Sequence, residues 1–226
     1  MYKAIVIGAT GLVGSHLVNE IIKDSNCEKI RVIVRRKTDF KHNKVEEIII
    51  DFNRFEDYKE NIEGDVLFSC LGTTRGQAGS QEKQYLVDYT YQYRAAKIAK
   101  ENGVTSYALV SSPYADIQSK NYYRKMKAEL EEAIKKLDFN KTIILQPNGL
   151  MGEREKPRIY EKWLIPFFIS LTKIFGSLKK FHPIEGKKVA QVLLTTYNEL
   201  RMSSTNFLVL RREELDDYIK TTHNNG

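Results

Sequence analysis

A rhythm constrains this chain more than any single residue. Short runs rich in β-branched residues recur through its first two thirds, each followed by a helical or loop stretch: Tyr2–Gly8, Ile30–Val34, Val45–Asp51, Asp65–Cys70, Tyr107–Ser112 and Lys141–Gln146. Runs this short and this apolar read as buried parallel strands. Helical patterns lie between them at Leu12–Lys23, Gln81–Asn102 and Asn121–Leu137, the second stopped by Asn102-Gly103. Strand and helix in alternation predict an α/β chain, a doubly wound parallel sheet of Rossmann type with right-handed crossovers. Residues 1–150 make up that sheet. Residues 151–226 loosen into loops, two helices and a late strand (NFLVL), too small for an independent domain, and read as a small C-terminal cap packed on the sheet edge.

The first strand-helix junction, IVIGATGLVGSHLV, carries Gly8, Gly11 and Gly14 at equal spacing. Glycine is required where a backbone turns tightly, approaches a pyrophosphate, or lets a helix pack on a strand. The helix start then offers N–H groups and its positive dipole end to phosphates. Three glycines alone also fit a structural turn, but their place at the head of a series of βα units predicts a dinucleotide site.

The end of the second strand says which dinucleotide. In RVIVRRKTD, Arg35 and Arg36 stand where an acid would hold the ribose 2′-OH of NAD. Guanidinium groups grip a phosphate with paired charge-assisted bonds, so the expected cofactor is NADP(H); the alternative is a pair of solvent-facing arginines. Asp51, ending the third strand, is placed to accept from the adenine amino group, with Phe52 adding backbone and a ring edge. Asp51 as a helix cap is the competing reading.

Tyr123 and Lys127 stand four apart on one helical face, after a strand that ends in Ser111-Ser112. A phenol of pKa ~10 becomes a useful acid only if a neighbouring cation stabilises its anion. Tyr123 could then protonate a carbonyl oxygen that Ser112 also hydrogen-bonds, with Lys127 lowering the tyrosine pKa and holding the nicotinamide ribose. With 13 tyrosines and still more lysines in 226 residues such pairs arise by chance, and Tyr93-x-x-x-Lys97 is a second one. Position selects Tyr123, at the carboxyl edge of the sheet where ligands bind; Tyr93 lies mid-helix and is expected to pack.

The net charge of +7 permits nucleic-acid or membrane binding, but the basic residues are scattered along the chain without an arm or an aromatic platform, so a solvated surface is expected and no nucleic acid. No run approaches a membrane span. Cys27 and Cys70 fit neither a disulfide framework nor a metal spacing, and His182 has no companion ligand, so no metal is expected. An N-terminus that enters a strand directly, with unpaired cysteines, reads as cytoplasmic. Trp163–Phe181 is apolar with interspersed lysines and reads as a cap helix over the cleft, a subunit contact or a membrane-surface helix.

Together these motifs resemble the short-chain dehydrogenase/reductase superfamily in its atypical branch. The loop CLGTTRGQAGS (Cys70–Ser80), with RRK, Asp51-Phe52, LVSS and LQPNGLMGEREKPR in order, is similar to the Tat-interacting-protein-like NAD(P)H-binding oxidoreductases over nearly the whole chain. The resemblance implies that Thr10, Gly11, Leu12 and Val13 touch the pyrophosphate and that Arg35 and Arg36 touch the adenosine phosphate. It also implies that Leu71 and Gly72 pass beneath the ribose and nicotinamide, that Tyr123 and Lys127 are the catalytic pair, and that Leu150 and Arg158 reach the cofactor from the tail. Gln146 departs from the arginine expected before Pro147, and Arg75 either binds a ligand or holds its loop. The expectation is an NADP(H)-dependent enzyme acting on a small carbonyl or alcohol substrate, as a homodimer or with a protein partner. The alternative is an NADPH-binding sensor without significant turnover.

Overall fold

A computed structural model describes residues 1–152, 183–211, 213–215 and 217–218. Its central sheet joins β1 (Tyr2–Ile7), β2 (Cys27–Val34), β3 (Val45–Ile49), β4 (Val66–Ser69), β5 (Ser106–Val110), β6 (Lys141–Gln146) and β9 (Phe207–Arg211). All pairings are parallel, in the order β3-β2-β1-β4-β5-β6-β9. The order reverses between β1 and β4, which opens a crevice at the carboxyl edge. β4 and β5 are buried along their whole length. β3, at one edge, carries Glu46 instead, ion-paired with Lys29 and Arg31 at 2.8 Å each; charge on an edge strand discourages pairing with another chain.

Alternate side chains of β1 feed two cores. Ala4 and Val6 join Leu17, Ile21, Val189 and Leu193 on one face, packed beneath α1 (Leu12–Lys23) and α6 (Gly186–Leu200). Ile5 and Ile7 join Phe55, Ala95, Ala99, Leu130 and Ile134 on the other, beneath α4 (Tyr91–Glu101) and α5 (Tyr122–Lys136). The described part of the C-terminal segment packs on this same sheet. β9 extends the sheet beside β6, and α6 fills one of the two helical layers. A two-stranded ladder of β7 (Leu150–Met151) and β8 (Ile184–Glu185) lies beside it. Trp163–Phe181 and His182 lie outside the described residues.

The long helix expected over Gln81–Asn102 is three pieces: α3 (Gln81–Tyr85), a π turn (Leu86–Thr90) and α4. Gly103, at φ 83°, ends it, and Asn102 Nδ2 donates to the carbonyls of Lys59 and Ile62. Tyr93 packs, stacked on Tyr89 with centroids 5.9 Å apart, and Lys97 is exposed on the helix surface. A short helix, α2 (Arg75–Ala78), follows β4.

Asp24 ties the amino edge of the sheet to α6. Its carboxylate accepts from Tyr2 Oη and Asn198 Nδ2 at 2.9 Å and from the Asn26 amide at 2.8 Å. Partial burial would raise its pKa, but these donors outweigh burial and hold it below the ordinary 3.8. A lowered folded-state value stabilises the fold at pH above the ordinary one, and that contribution is lost as pH falls through the folded value. Asp24→Ala should cost about 2 kcal/mol at neutral pH in urea unfolding, and the difference from wild type should shrink as the pH is taken below 3.8.

Candidate active site at the carboxyl edge of the sheet

The glycine loop is built from backbone contact. Gly8 has φ 79°, and a Cβ there would lie 2.5 Å from the carbonyl carbon of Cys70. A Cβ on Gly14 would lie 2.1 Å from the Gly8 oxygen. The Gly11 amide closes the turn on Gly8 O at 2.9 Å. α1 begins at Leu12 with Gly11 as its cap, no side chain bonded there and no acid in its first turn. Its first N–H groups have no intrahelical acceptor, whereas Asn121 caps α5 by accepting from the Arg124 amide at 3.2 Å. An uncapped helix start behind a turn with no room for side chains fits a dinucleotide pyrophosphate. Thr10 is exposed there, while Leu12 and Val13 are buried, 5% and 4% exposed. The Leu12 side chain is walled in by Gly152 and Gly186, so these two residues can offer a phosphate only backbone.

Arg35 and Arg36 follow β2 directly, are exposed, and form no ion pair among the described residues. Asp51 and Phe52, just beyond β3, take a capping role and a packing role. Asp51 Oδ1 accepts from the Asn53 amide at 2.9 Å and from its side chain at 3.0 Å, capping a 3-10 segment over Phe52–Asn61. Phe52 is 4% exposed and packs on Phe55 and Tyr91, so its ring edge faces the core and is not available to adenine. Leu71 is half-buried against the α4 side of the core, Gly72 is exposed, and Leu150 is half-buried in β7. Arg158 lies outside the described residues.

The loop after β4 is held from the π turn. Asp88, 1% exposed, accepts from the Thr73 amide at 3.0 Å. Gln92 Nε2 donates to the Asp88 carbonyl at 2.8 Å, and Gln92 Oε1 accepts from Ser69 Oγ at 2.7 Å. A π turn widens the helix by one residue and recurs at functional sites; here it aims a carboxylate at the Gly72-Thr73 backbone. Arg75 is exposed at the start of α2 with no ion pair among the described residues.

Ser112 and Tyr123 share the wall of one cleft of about 370 Å³, together with Tyr114, Asn121, Arg124 and Asn148. Lys127 lies behind that wall, 2% exposed. Burial lowers the pKa of its ammonium, an effect that the Asp88 and Glu131 carboxylates oppose. Burial in turn raises the Glu131 pKa, against hydrogen bonds from Ser111 and Gln146 and the charge of Lys127. The Ser111 hydroxyl donates a short bond to Glu131, and Gln146 Nε2 donates to both Glu131 oxygens at 3.1 and 2.9 Å. The paired serines therefore divide. Ser111 is committed to Glu131, whereas Ser112 has one long bond, 3.4 Å, to the Pro113 carbonyl. Gln146, out of place by resemblance, is the partner of that carboxylate.

The NAD(P)H-binding family profile matches residues 8–163, from the first glycine of the loop to beyond the cleft. This chain belongs to that NAD(P)H-binding family. Among its relatives is Protein FMP52, mitochondrial, of Debaryomyces hansenii, 34% identical over 97% of this chain and 99% of the relative. A protein of the same name from Candida albicans is 39% identical over 67% of this chain and 68% of its own length. Solved structures of the same fold include a UDP-galactose 4-epimerase, with TM-score 0.69 and 16% identity over 92% of this chain and 76% of that one. Another is MoeE5 in complex with UDP-glucose and NAD, with TM-score 0.68, 16% identity, and 92% and 75% covered. The chain thus has an NAD(P)H-binding domain by family and shares the fold of these solved structures. The relatives' names overturn the expected cytoplasmic location, since they are called mitochondrial. Unpaired cysteines and a strand-like N-terminus do not distinguish one reducing compartment from another.

Sequence reasoning passed over Asp88, Glu131 and Arg124. Asp88 had a readable signal, as one acid within the aromatic stretch YLVDYTYQY. Glu131 had none, because acids are common on helices and only the fold sets it against Ser111 and Gln146. Gly14→Ala should abolish NAD(P)H binding in calorimetry and lower the melting temperature, because the clashing atom belongs to the backbone of Gly8 and cannot rotate away.

Proposed function

We propose that this chain is an NADP(H)-dependent oxidoreductase that reduces a carbonyl compound, or oxidises the corresponding alcohol, in the mitochondrion. The observation that carries the reading is the shared cleft of Ser112 and Tyr123 at the carboxyl ends of β5 and β6, on the same sheet edge as the glycine loop. Ser112 donates to the carbonyl oxygen and fixes its position. Tyr123 delivers the proton to that oxygen as charge develops on it. Lys127, one helical turn further, favours the phenolate through space, and the carboxylates of Asp88 and Glu131 support its charge. When bound, NADPH supplies the hydride that reduces the carbonyl carbon and leaves as NADP+.

Selectivity for the phosphorylated cofactor rests on Arg35 and Arg36, exposed side by side at the end of β2 with no acid paired to them among the described residues. The pyrophosphate is held by the backbone of Gly8 to Gly14. Asp51 retains one carboxylate oxygen outside its capping bonds, the one available to an adenine amino group.

Calorimetric titration with both nucleotides tests the cofactor claim. Arg36→Asp should weaken NADPH about 10- to 100-fold and NADH far less, since the bond lost is charge-assisted; equal weakening of both would sink the claim. Tyr123→Phe should keep NADPH binding and lose about 10²- to 10⁴-fold in turnover. A wild-type protein that binds NADPH and reduces none of a carbonyl panel would favour a sensor over an enzyme. The serines should separate as well. Ser112→Ala should lower kcat with little change in melting temperature. Ser111→Ala should cost about 1 to 3 kcal/mol of stability in urea unfolding, because it strips a donor from a buried carboxylate.

A further inference from the structure

Among the described residues, the cleft that holds Ser112 and Tyr123 has one charged side chain on its wall, and it is a cation. Arg124 follows Tyr123 in the first turn of α5, and it pairs with no carboxylate among the described residues. Its guanidinium is held over the Tyr114 ring, 5.2 Å from the centroid. Tyr114 reaches that position through a left-handed backbone, φ 59°, a conformation that residues with a bulky side chain seldom adopt. The ring is 55% exposed, so core packing does not account for the strain. Such outliers gather where a site must present a side chain in one direction. The Asn121 cap places the positive end of the α5 dipole on the same wall.

We propose that Arg124, braced on Tyr114, is a substrate-reading residue and that the carbonyl substrate carries a carboxylate. This rests on the oxidoreductase reading and names the substrate class for the same cleft. The guanidinium fork matches a carboxylate with two parallel bonds, while Ser112 and Tyr123 engage the carbonyl oxygen. A phosphate dianion would call for more than the single cation that the described residues place there. The cleft's 370 Å³ lies near the lower end of the range of roughly 300 to 1,000 Å³ for small-molecule sites, so the substrate is compact, one ring or a short chain. In the reaction the carbonyl carbon accepts two electrons and a hydrogen at the expense of NADPH, and its oxygen takes the Tyr123 proton. The products are a hydroxy acid and NADP+.

The test compares para-carboxybenzaldehyde with its methyl ester, which has the same ring and carbonyl without the charge, using the full chain and NADPH. Wild type should favour the acid by about tenfold or more in kcat/KM, chiefly through KM. Arg124→Met should bring the acid-to-ester ratio close to one, and Arg124→Lys should restore part of it. Added salt should erode the preference, because the cation is exposed. A wild-type ratio near one, or a preference that survives Arg124→Met, overturns the proposal. If neither aldehyde is turned over, calorimetry with benzoate on the NADP+-loaded protein separates the two claims. Benzoate binding that depends on Arg124 keeps the anion site and removes the reductase reading. No binding, or binding indifferent to Arg124, overturns the anion site itself.

Discussion

The structure turns on a backbone contact at the centre of the sheet. β1 must end, reverse and begin α1 within a few residues, and it does so against the first peptide after β4. No side chain fits at positions 8 or 14. That contact brings the start of α1 over the sheet edge and leaves its first N–H groups facing outward without a cap. It also sets where the loop after β4 leaves the sheet, and hence what the π turn can grip. A fold that depends on missing side chains in its middle has created the place where a dinucleotide backbone can lie.

Around this centre the chemistry is arranged by burial. Lys127 is withdrawn from solvent, which lowers its pKa, and two carboxylates oppose that shift. Those carboxylates have their own donors: Asp88 takes the Thr73 amide, and Glu131 takes Ser111 and Gln146. The network ties β4, β5, β6, the π turn and α5 to one another beside the cleft of Ser112 and Tyr123. Such networks hold their geometry only when each member is satisfied. Its members come from five parts of the chain.

Two kinds of information were legible at different depths. Strand and helix order, the glycine turn and the general class of ligand were written in local pattern, because a buried parallel strand needs β-branched runs and a phosphate turn needs glycine at set intervals. Topology alone preferred Tyr123 to Tyr93; in the structure Tyr93 stacks on Tyr89 and Tyr123 lines the cleft. Asp51 and Phe52 mark the boundary. The same pair of letters serves a ligand or a helix cap, and here one carboxylate oxygen caps while the ring joins the core. The cellular compartment was not legible, since the cytoplasmic reading is overturned by relatives named mitochondrial.

By itself, then, the sequence determined a parallel α/β sheet with a dinucleotide turn at its first crossover, because both follow from residues adjacent in the chain. Only the tertiary structure decided which serine faces the cleft, that a π turn sends Asp88 under the loop after β4, and that Arg124 rests on a strained Tyr114. It likewise placed β9 as the seventh strand of the sheet, beside β6. Those outcomes depend on which side chains of distant segments compete for the same buried donors and the same space, and that competition exists only once the chain has folded.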